Sequence, residues 1–277
     1  MFDNCQQNFN LVKSLNNDKI EEKLNVICSI SNPCNYKRRI ILAKAFINHM
    51  LNTKDVNLYV VECIYPKLNQ KYQLTDSNNP NHLQLKADSI LWTRENMINI
   101  AVNKLLPKDY KAFAFIDADL QFTNPNWATD TLKILNTVDI LQPFENGYNL
   151  NQLNRIDSKS RFLHSICLTW LNSNKLNYQQ NNIDIKDIRG DLGHPGWGWA
   201  MTKNTYEKIK GIYDKSILGG GDNILAKSIM FNNYMNIQDP YKKCSLSFKK
   251  SLSEFQINCY NLKVGYIPGT IYHYYHG

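Results

Sequence analysis

The sequence lacks any long apolar run. Its best stretches, Ile40 to Ala43 and Ala112 to Ile116, fall far short of the roughly 20 apolar residues that cross a bilayer, so no membrane span is expected. The first residues, Met1 to Leu11, carry Asp3, Asn4, Gln6 and Gln7 in place of the cationic head and apolar stretch of a secretory signal. A cytoplasmic location is the matching expectation. Paired cysteines are missing too. The seven cysteines (Cys5, Cys28, Cys34, Cys63, Cys167, Cys244, Cys259) are odd in number and form no C-x-x-C, which argues against a zinc ribbon or a redox dithiol and for free thiols in a reducing compartment. There is no concentrated block of one charge either: the formal +8 is spread along the chain, so a nucleic-acid partner is not expected. No internal repeat is found.

What the sequence does hold is enough apolar matter for a core. Hydrophobic residues make up 43% and aromatics 12% of 277 residues, with 16 Tyr and 11 Phe, and at roughly 100–200 residues per domain one large domain is the simpler expectation. Leu24 to Ile30 reads as a strand, Ser31-Asn32-Pro33 as a turn, and Tyr36 to Leu51 as a helix. Val56 to Ile64 is a second strand, and Lys67 to Asn81 a polar loop. Thr93 is placed to cap a helix running to Leu105, with Glu95 in its first turn. Ala112 to Ile116 is a continuous apolar run, as in strands buried on both faces of a parallel sheet. Asn124-Pro125 opens a further helix to Leu135, and Val138 to Leu141 a strand. This alternation predicts an α/β, Rossmann-like fold with a mixed, mostly parallel sheet flanked by helices. The second half is looser, with Tyr148 to Ser160 and Leu171 to Asp187 read as long loops or weak helices beside an acceptor groove.

Two carboxylates, Asp117 and Asp119, follow the Ala112 to Ile116 strand. Ligands of open α/β sheets bind outside the carboxyl ends of the strands, where two acidic side chains one residue apart can approach a divalent ion and the diphosphate it bridges. The plain alternative is a solvated turn. A haloacid-dehalogenase-type phosphatase also carries D-x-D after a strand, but near its start and followed by Gly-Thr; here Leu120-Gln121 follows, deep in the chain. A nucleotidyltransferase would carry a glycine-rich, basic phosphate loop after its first strand, which Ser31-Asn32-Pro33 is not.

Downstream, Gly190-Asp191-Leu192-Gly193-His194-Pro195-Gly196-Trp197-Gly198-Trp199-Ala200 precedes Gly219-Gly220-Gly221-Asp222-Asn223, which opens a helix from Ile224 to Met230. Glycines such as Gly220 and Gly221 let backbone approach a ligand, and Trp faces suit sugar rings. Asp222 at the mouth of the turn is placed for general-base work. The competing reading is that the aromatics are core and the glycines a flexible turn. Near the end, Val264 to Ile267 and Thr270 to Tyr272 read as a strand pair joined at Pro268-Gly269, leading to His273 and His276.

Taken in order, Leu91 to Asn96, Phe115 to Phe122 with Asn124-Pro125, Gln142-Pro143-Phe144, Gly196 to Ala200, and Tyr213 to Asp222 resemble the landmarks of a GT-A-type glycosyltransferase of the inverting kind. The resemblance spans Leu24 to Gly277. It implies one GT-A domain over 1–277, with 1–145 binding nucleotide sugar and metal and 146–277 binding acceptor and supplying the base. By the same resemblance Asp119 binds the metal, manganese or magnesium, and Asp117 contacts ribose or reaches the metal through water. Asp222 deprotonates the acceptor hydroxyl, Trp197 and Trp199 shape the sugar pocket, and His273 or His276 adds a metal ligand. The donor is a nucleoside-diphosphate sugar, with UDP the default base, and the acceptor a hydroxyl on a glycan or protein. Such folds usually continue into a tail, and the sequence leaves open whether the chain is a domain cut from a longer protein.

Ser31, Asn32, Arg94 and Asn96 are further candidates to touch the nucleotide, with capping and surface solvation as the alternative. Lys37, Arg38 and Arg39 either steer a diphosphate or form a solvated helix face. Asp191 and His194 are divided between acceptor contact and loop structure. A retaining transferase shares fold and D-x-D, and a non-catalytic glycan- or nucleotide-binding module of the same fold is the rival from another class.

Overall fold

A computed structural model of the chain describes residues 18–172, 193–230 and 243–276. The apolar runs become strands whose side chains alternate between two covered faces. β1 (Leu24–Ser31), β2 (Val56–Ile64) and β4 (Ala112–Ile116) are almost wholly buried. With β3 (His82–Lys86), β6 (Ile140–Gln142), β9 (Gly198–Thr202) and β10 (Val264–Tyr266) they build a seven-stranded sheet of order β10-β6-β9-β4-β1-β2-β3. Only β9 runs antiparallel to its neighbours β4 and β6; the other pairings are parallel. The mixed, mostly parallel α/β sheet expected from the sequence is therefore present.

Helices cover both faces. Even-numbered Ala112, Ala114 and Ile116 pack with Ala43, Phe46 and Met50 of α1 (Lys37–Leu51) and with Trp127, Ala128 and Leu132 of α3 (Trp127–Ile134). Odd-numbered Phe113 and Phe115 pack with Met97, Ile98, Ala101 and Val102 of α2 (Arg94–Lys104) and with Leu252, Phe255 and Cys259 of α7 (Leu246–Cys259). The α1 residues recur at three and four positions, the spacing of one helix face. Three shorter helices, α4 (Ile166–Asn172), α5 (Lys203–Lys208) and α6 (Gly221–Met230), complete the described set. No helix among the described residues is long and apolar enough to cross a membrane.

A second sheet sits beside the first, with order β5-β11-β7-β8 from β5 (Leu120–Phe122), β11 (Thr270–His273), β7 (Asn146–Asn149) and β8 (Arg161–His164). This corrects several expectations. The two carboxyl-terminal strands are not paired with each other: β10 joins β6 in the large sheet and β11 lies between β5 and β7 in the small one. Pro268-Gly269 thus carries the chain from one sheet to the other. Part of the expected Tyr148 to Ser160 loop belongs to β7. The segment Gly198 to Thr202 is a central strand, and His82–Lys86 is a half-buried edge strand that follows the polar loop. Thr93 caps through its backbone alone; its carbonyl accepts the Met97 N–H at 2.8 Å and its side chain makes no cap bond. Of the expected loop Leu171 to Asp187, residues 173–187 lie outside the described set.

Candidate active site

The carboxyl end of β4 opens onto a cavity of about 680 Å³ whose lining includes Asp117, Asp119, Arg94, Asp222, His273 and His276. A second cavity, of about 580 Å³, lies at the amino ends of β4, β6 and β10 around Asp109, Lys203 and Lys263 and holds none of the residues named so far as site candidates. Backbone bonds pin the D-x-D turn at both ends. The Asp117 N–H donates to the Trp197 carbonyl at 2.9 Å, and the Asp119 carbonyl accepts the Tyr274 N–H at 2.9 Å. The turn is thereby tied to the segment entering β9 and to the segment leaving β11.

Three side chains converge there. Asp119, His273 and His276 place one ligand atom each within 4.8 Å of one another. Nε2 of His273 lies 3.6 Å from Asp119 Oδ1, and Nε2 of His276 lies 3.6 Å from Oδ2; both are too long for a direct hydrogen bond. Asp119 Oδ1 is buried and has no hydrogen-bond partner among the described residues. A buried, unpartnered carboxylate oxygen facing two imidazole nitrogens is costly alone and well satisfied by a shared cation. His273 is oriented for this: its Nδ1 lies 2.6 Å from Asn149 Oδ1, an acceptor that requires the proton on Nδ1 and leaves a lone pair on Nε2. Burial opposes ionisation of Asp119, yet His273, His276 and Arg39 hold its carboxyl below the ordinary value. Burial pulls His273 down, and Asp119 outweighs it, so that the imidazole is raised. For His276 burial prevails and the imidazole is lowered. The donor set of one carboxylate and two imidazoles fits a divalent transition-metal ion.

Asp117 is engaged differently. Its Oδ1 accepts from Arg94 Nε at 2.9 Å and Nη2 at 2.5 Å. Burial raises its carboxyl above the usual range in spite of that pairing, with the nearby Asp119 adding to the effect. Arg94 lies 3.4 Å from Glu95 Oε1 as well, and the other oxygen of Glu95 accepts the Trp92 indole N–H at 2.8 Å. The buried Glu95 carboxylate fills the place where a side chain at residue 221 would stand: a Cβ there would fall 2.4 Å from its Cδ. Gly221 is required for that approach, and Gly219 and Gly220 at φ +96° and +82° make the turn that aims the chain into α6. Asp222, in the first turn of α6, thereby faces the cavity. One of its oxygens accepts the Asn223 N–H at 2.8 Å.

The remaining candidates are distributed unevenly. Ser31 lines the cavity and pairs with the Tyr65 hydroxyl at 2.8 Å. Asn32 is buried and closes the turn before α1, donating to the Tyr36 carbonyl at 3.0 Å and accepting the Tyr36 N–H at 3.1 Å. Asn96 donates to Asp214 at 3.0 Å and does not line the cavity, and neither do Gly220 and Gly221. Trp199 is fully buried in the sheet and donates its indole N–H to the Pro195 carbonyl at 2.8 Å, so its ring forms core instead of a sugar-facing wall. Trp197 is also buried, at φ +75°, with its indole stacked on His194 at 3.8 Å and 5.7 Å from the His273 ring. It supports the metal-side histidine from behind, in a backbone conformation rare for a bulky residue. Burial lowers the His194 imidazole to about 4, in keeping with its Nδ1 accepting the Gly196 N–H at 3.1 Å. In the basic cluster, Arg39 lines the cavity while Arg38 donates to the Tyr275 carbonyl at 2.5 Å. Asp191 lies outside the described residues. Asn149, which orients His273, has no signal in its polar stretch; its role comes only from the β7–β11 register that pairs it with His273.

No family model matches the chain, and no curated protein does. Among solved structures, it is similar to the mannosyltransferase PcManGT from Pyrobaculum calidifontis, in complex with GDP-Man and Mn2+, at 11% identity and TM-score 0.41, over 75% of this chain and 51% of that one. It is similar to S. aureus TarS 1-349 at 12% identity and TM-score 0.40, over 76% of this chain and 56% of that one. A third is 4-diphosphocytidyl-2C-methyl-D-erythritolsynthase from Anaerococcus prevotii, at 10% identity and TM-score 0.39, over 90% of this chain and 88% of that one. The chain spans about half the length of the first two.

Proposed function

We propose that this chain is a metal-dependent glycosyltransferase that takes a nucleoside-diphosphate sugar, UDP-linked by default, and transfers the sugar to a hydroxyl acceptor on a glycan or protein. The observation that carries the reading is the convergence of Asp119, His273 and His276 around an unpartnered buried oxygen, in the same cavity as Arg94, Asp117 and Asp222. Asp119, His273 and His276 would hold a divalent ion, which would supply positive charge toward a departing diphosphate. Arg94 is held by Asp117 and Glu95 and does not swing freely. It keeps Asp117 in place at the end of β4, where Asp117 serves the ribose or the outer coordination sphere.

Asp222 acts as the general base. Its free carboxylate oxygen takes the acceptor proton as the acceptor oxygen attacks the anomeric carbon from the face opposite the diphosphate, which inverts the configuration. In this assignment residues 1–145 carry nucleotide binding and the Asp119 side of the metal site and share the acceptor side with residues 146–277, which carry the base. His273 and His276 also come from the second part, so the metal site draws on both.

The test is Asp222→Asn, which keeps the shape and removes the base. It is expected to bind the donor with manganese as the parent does and to form no glycoside, with proton NMR of the parent's product showing the inverted anomer. Full turnover by Asp222→Asn, or a retained anomer, assigns the chemistry elsewhere.

A further inference from the structure

One wall of the cavity is apolar. Ile90, Leu91 and Trp92 from the segment before α2, and Ile217 and Leu218 from the turn before α6, all line it, and they are exposed by 60, 43, 45, 49 and 93% respectively. These are large apolar side chains gathered on two adjacent segments, whereas isolated exposed apolar residues need no explanation. The wall is held in shape. The Trp92 N–H donates to the Ile217 carbonyl at 2.9 Å, and the Gly219 N–H closes the turn on the Ser216 carbonyl at 3.0 Å. The Trp92 indole is fixed by its bond to Glu95, and residue 219 passes close enough that a Cβ there would lie 3.7 Å from the ring. Leu218 stands four residues before Asp222 in the chain, so the Ile217–Leu218 part of the wall and the base belong to one turn.

Resting on the transferase reading above, we infer that this wall binds the acceptor, and that the acceptor carries an apolar aglycone, alkyl or aryl, next to its reacting hydroxyl. Diphosphate, ribose and sugar hydroxyls all ask for charge or hydrogen bonds, which Arg94, the acidic residues and the histidines provide; the nucleobase is the one donor part that would stack on Trp92, and the UDP titration below separates it from the acceptor. An aliphatic and indole surface beside the base offers neither and gains only by covering apolar surface. The wall therefore selects among acceptors and leaves donor binding to the other side of the cavity.

The experiment measures the affinity of the full chain for methyl and octyl β-glucoside, below the micelle concentration of the latter, by Trp fluorescence and calorimetry in the presence of UDP and manganese. Octyl glucoside is expected to bind at least about tenfold more tightly than methyl glucoside, since each buried methylene adds severalfold. Leu218→Asn and Ile90→Asn, both at solvent-exposed positions, are expected to erase most of that preference with UDP affinity unchanged. Equal affinity for the two glucosides overturns the inference. So does a loss of UDP affinity in Leu218→Asn, which assigns the wall to the donor. Co-sedimentation with phosphatidylcholine vesicles that Leu218→Asn abolishes, without any alkyl-chain preference, also overturns it and assigns the wall to a lipid surface. Absence of UDP binding sinks the transferase reading itself, whereas loss of chain-length dependence sinks only this inference.

Discussion

Asn149 holds His273 with one imidazole nitrogen at 2.6 Å from its side-chain oxygen, and the other nitrogen is thereby turned toward Asp119, 3.6 Å away. The two residues face each other across the β7–β11 register. Outer partners of this kind fix the tautomer of a ligating histidine and are worth about 10–100-fold in metal affinity. Asn149→Ala is therefore expected to weaken manganese binding by about that factor while circular dichroism stays unchanged. Unaltered manganese affinity in the variant would remove Asn149 from the site.

Trp197 packs against both the same histidine and Gly147 of the small sheet. Its ring occupies the space over Gly147, where a Cβ would stand 2.3 Å from the indole Cζ3. Gly147→Ala is expected to destabilise the protein by about 1–3 kcal/mol through overpacking and to weaken metal binding with it, because the displaced indole lies against His273. Denaturant melts and manganese titration of the same preparation read the two effects together.

Gly196 separates Asp222 from His194. A Cβ at 196 would fall 2.6 Å from Asp222 Oδ2 and 3.0 Å from His194 Cε1. Gly196→Ala is expected to turn the Asp222 carboxylate away from the acceptor, lowering kcat by about 10²–10⁴-fold, the range of a displaced general base, with donor affinity kept. A parallel loss of donor affinity would mean that the turn carries the nucleotide instead.

His194 sets a pH dependence of stability. Burial lowers its folded imidazole to about 4 from the ordinary 6.5. Between those values the unfolded chain binds the proton and the folded chain does not, so stability falls as pH drops from about 6.5 toward 4, by about 3 kcal/mol at most from this group. Chemical denaturation across that window should show the slope, and His194→Gln should flatten it. An equal slope in the variant would place the effect in other histidines.

How far the sequence told the fold follows from where each signal resides. Ala112–Ile116 is legible to the residue because a strand buried on both faces writes itself as a continuous apolar run, and Val56–Ile64 because it is rich in Val, Tyr and Ile and closed by Pro66. Gly198–Thr202 is not. Its Gly-Trp-Ala-Met-Thr has small residues where neighbours pack closely, a Cβ at Gly198 standing 2.6 Å from Ile116 Cδ1, and that pattern reads equally as a ligand loop. The sugar-pocket role of Trp199 is what the family resemblance implies, whereas a tryptophan between Gly198 and Ala200 packs equally well at the centre of a sheet, where Trp199 is fully buried. Val264 and Thr270 were recognised as the starts of strands, but which sheet each joins depends on partners more than a hundred residues away. Asp117, Asp119 and Asp222 stood out because carboxylates at strand ends and turn mouths are few. Asn149 is one asparagine in a polar stretch and gains meaning only from its partner across the register.

The most direct measurement is calorimetric titration of UDP, with GDP as control, into the parent chain and into Asp119→Ala, each with manganese and again with chelator. The account predicts nucleotide binding by the parent that needs manganese and is lost both with chelator and in Asp119→Ala. Nucleotide binding that is indifferent to the metal and to Asp119, or no binding by the parent at all, would contradict it.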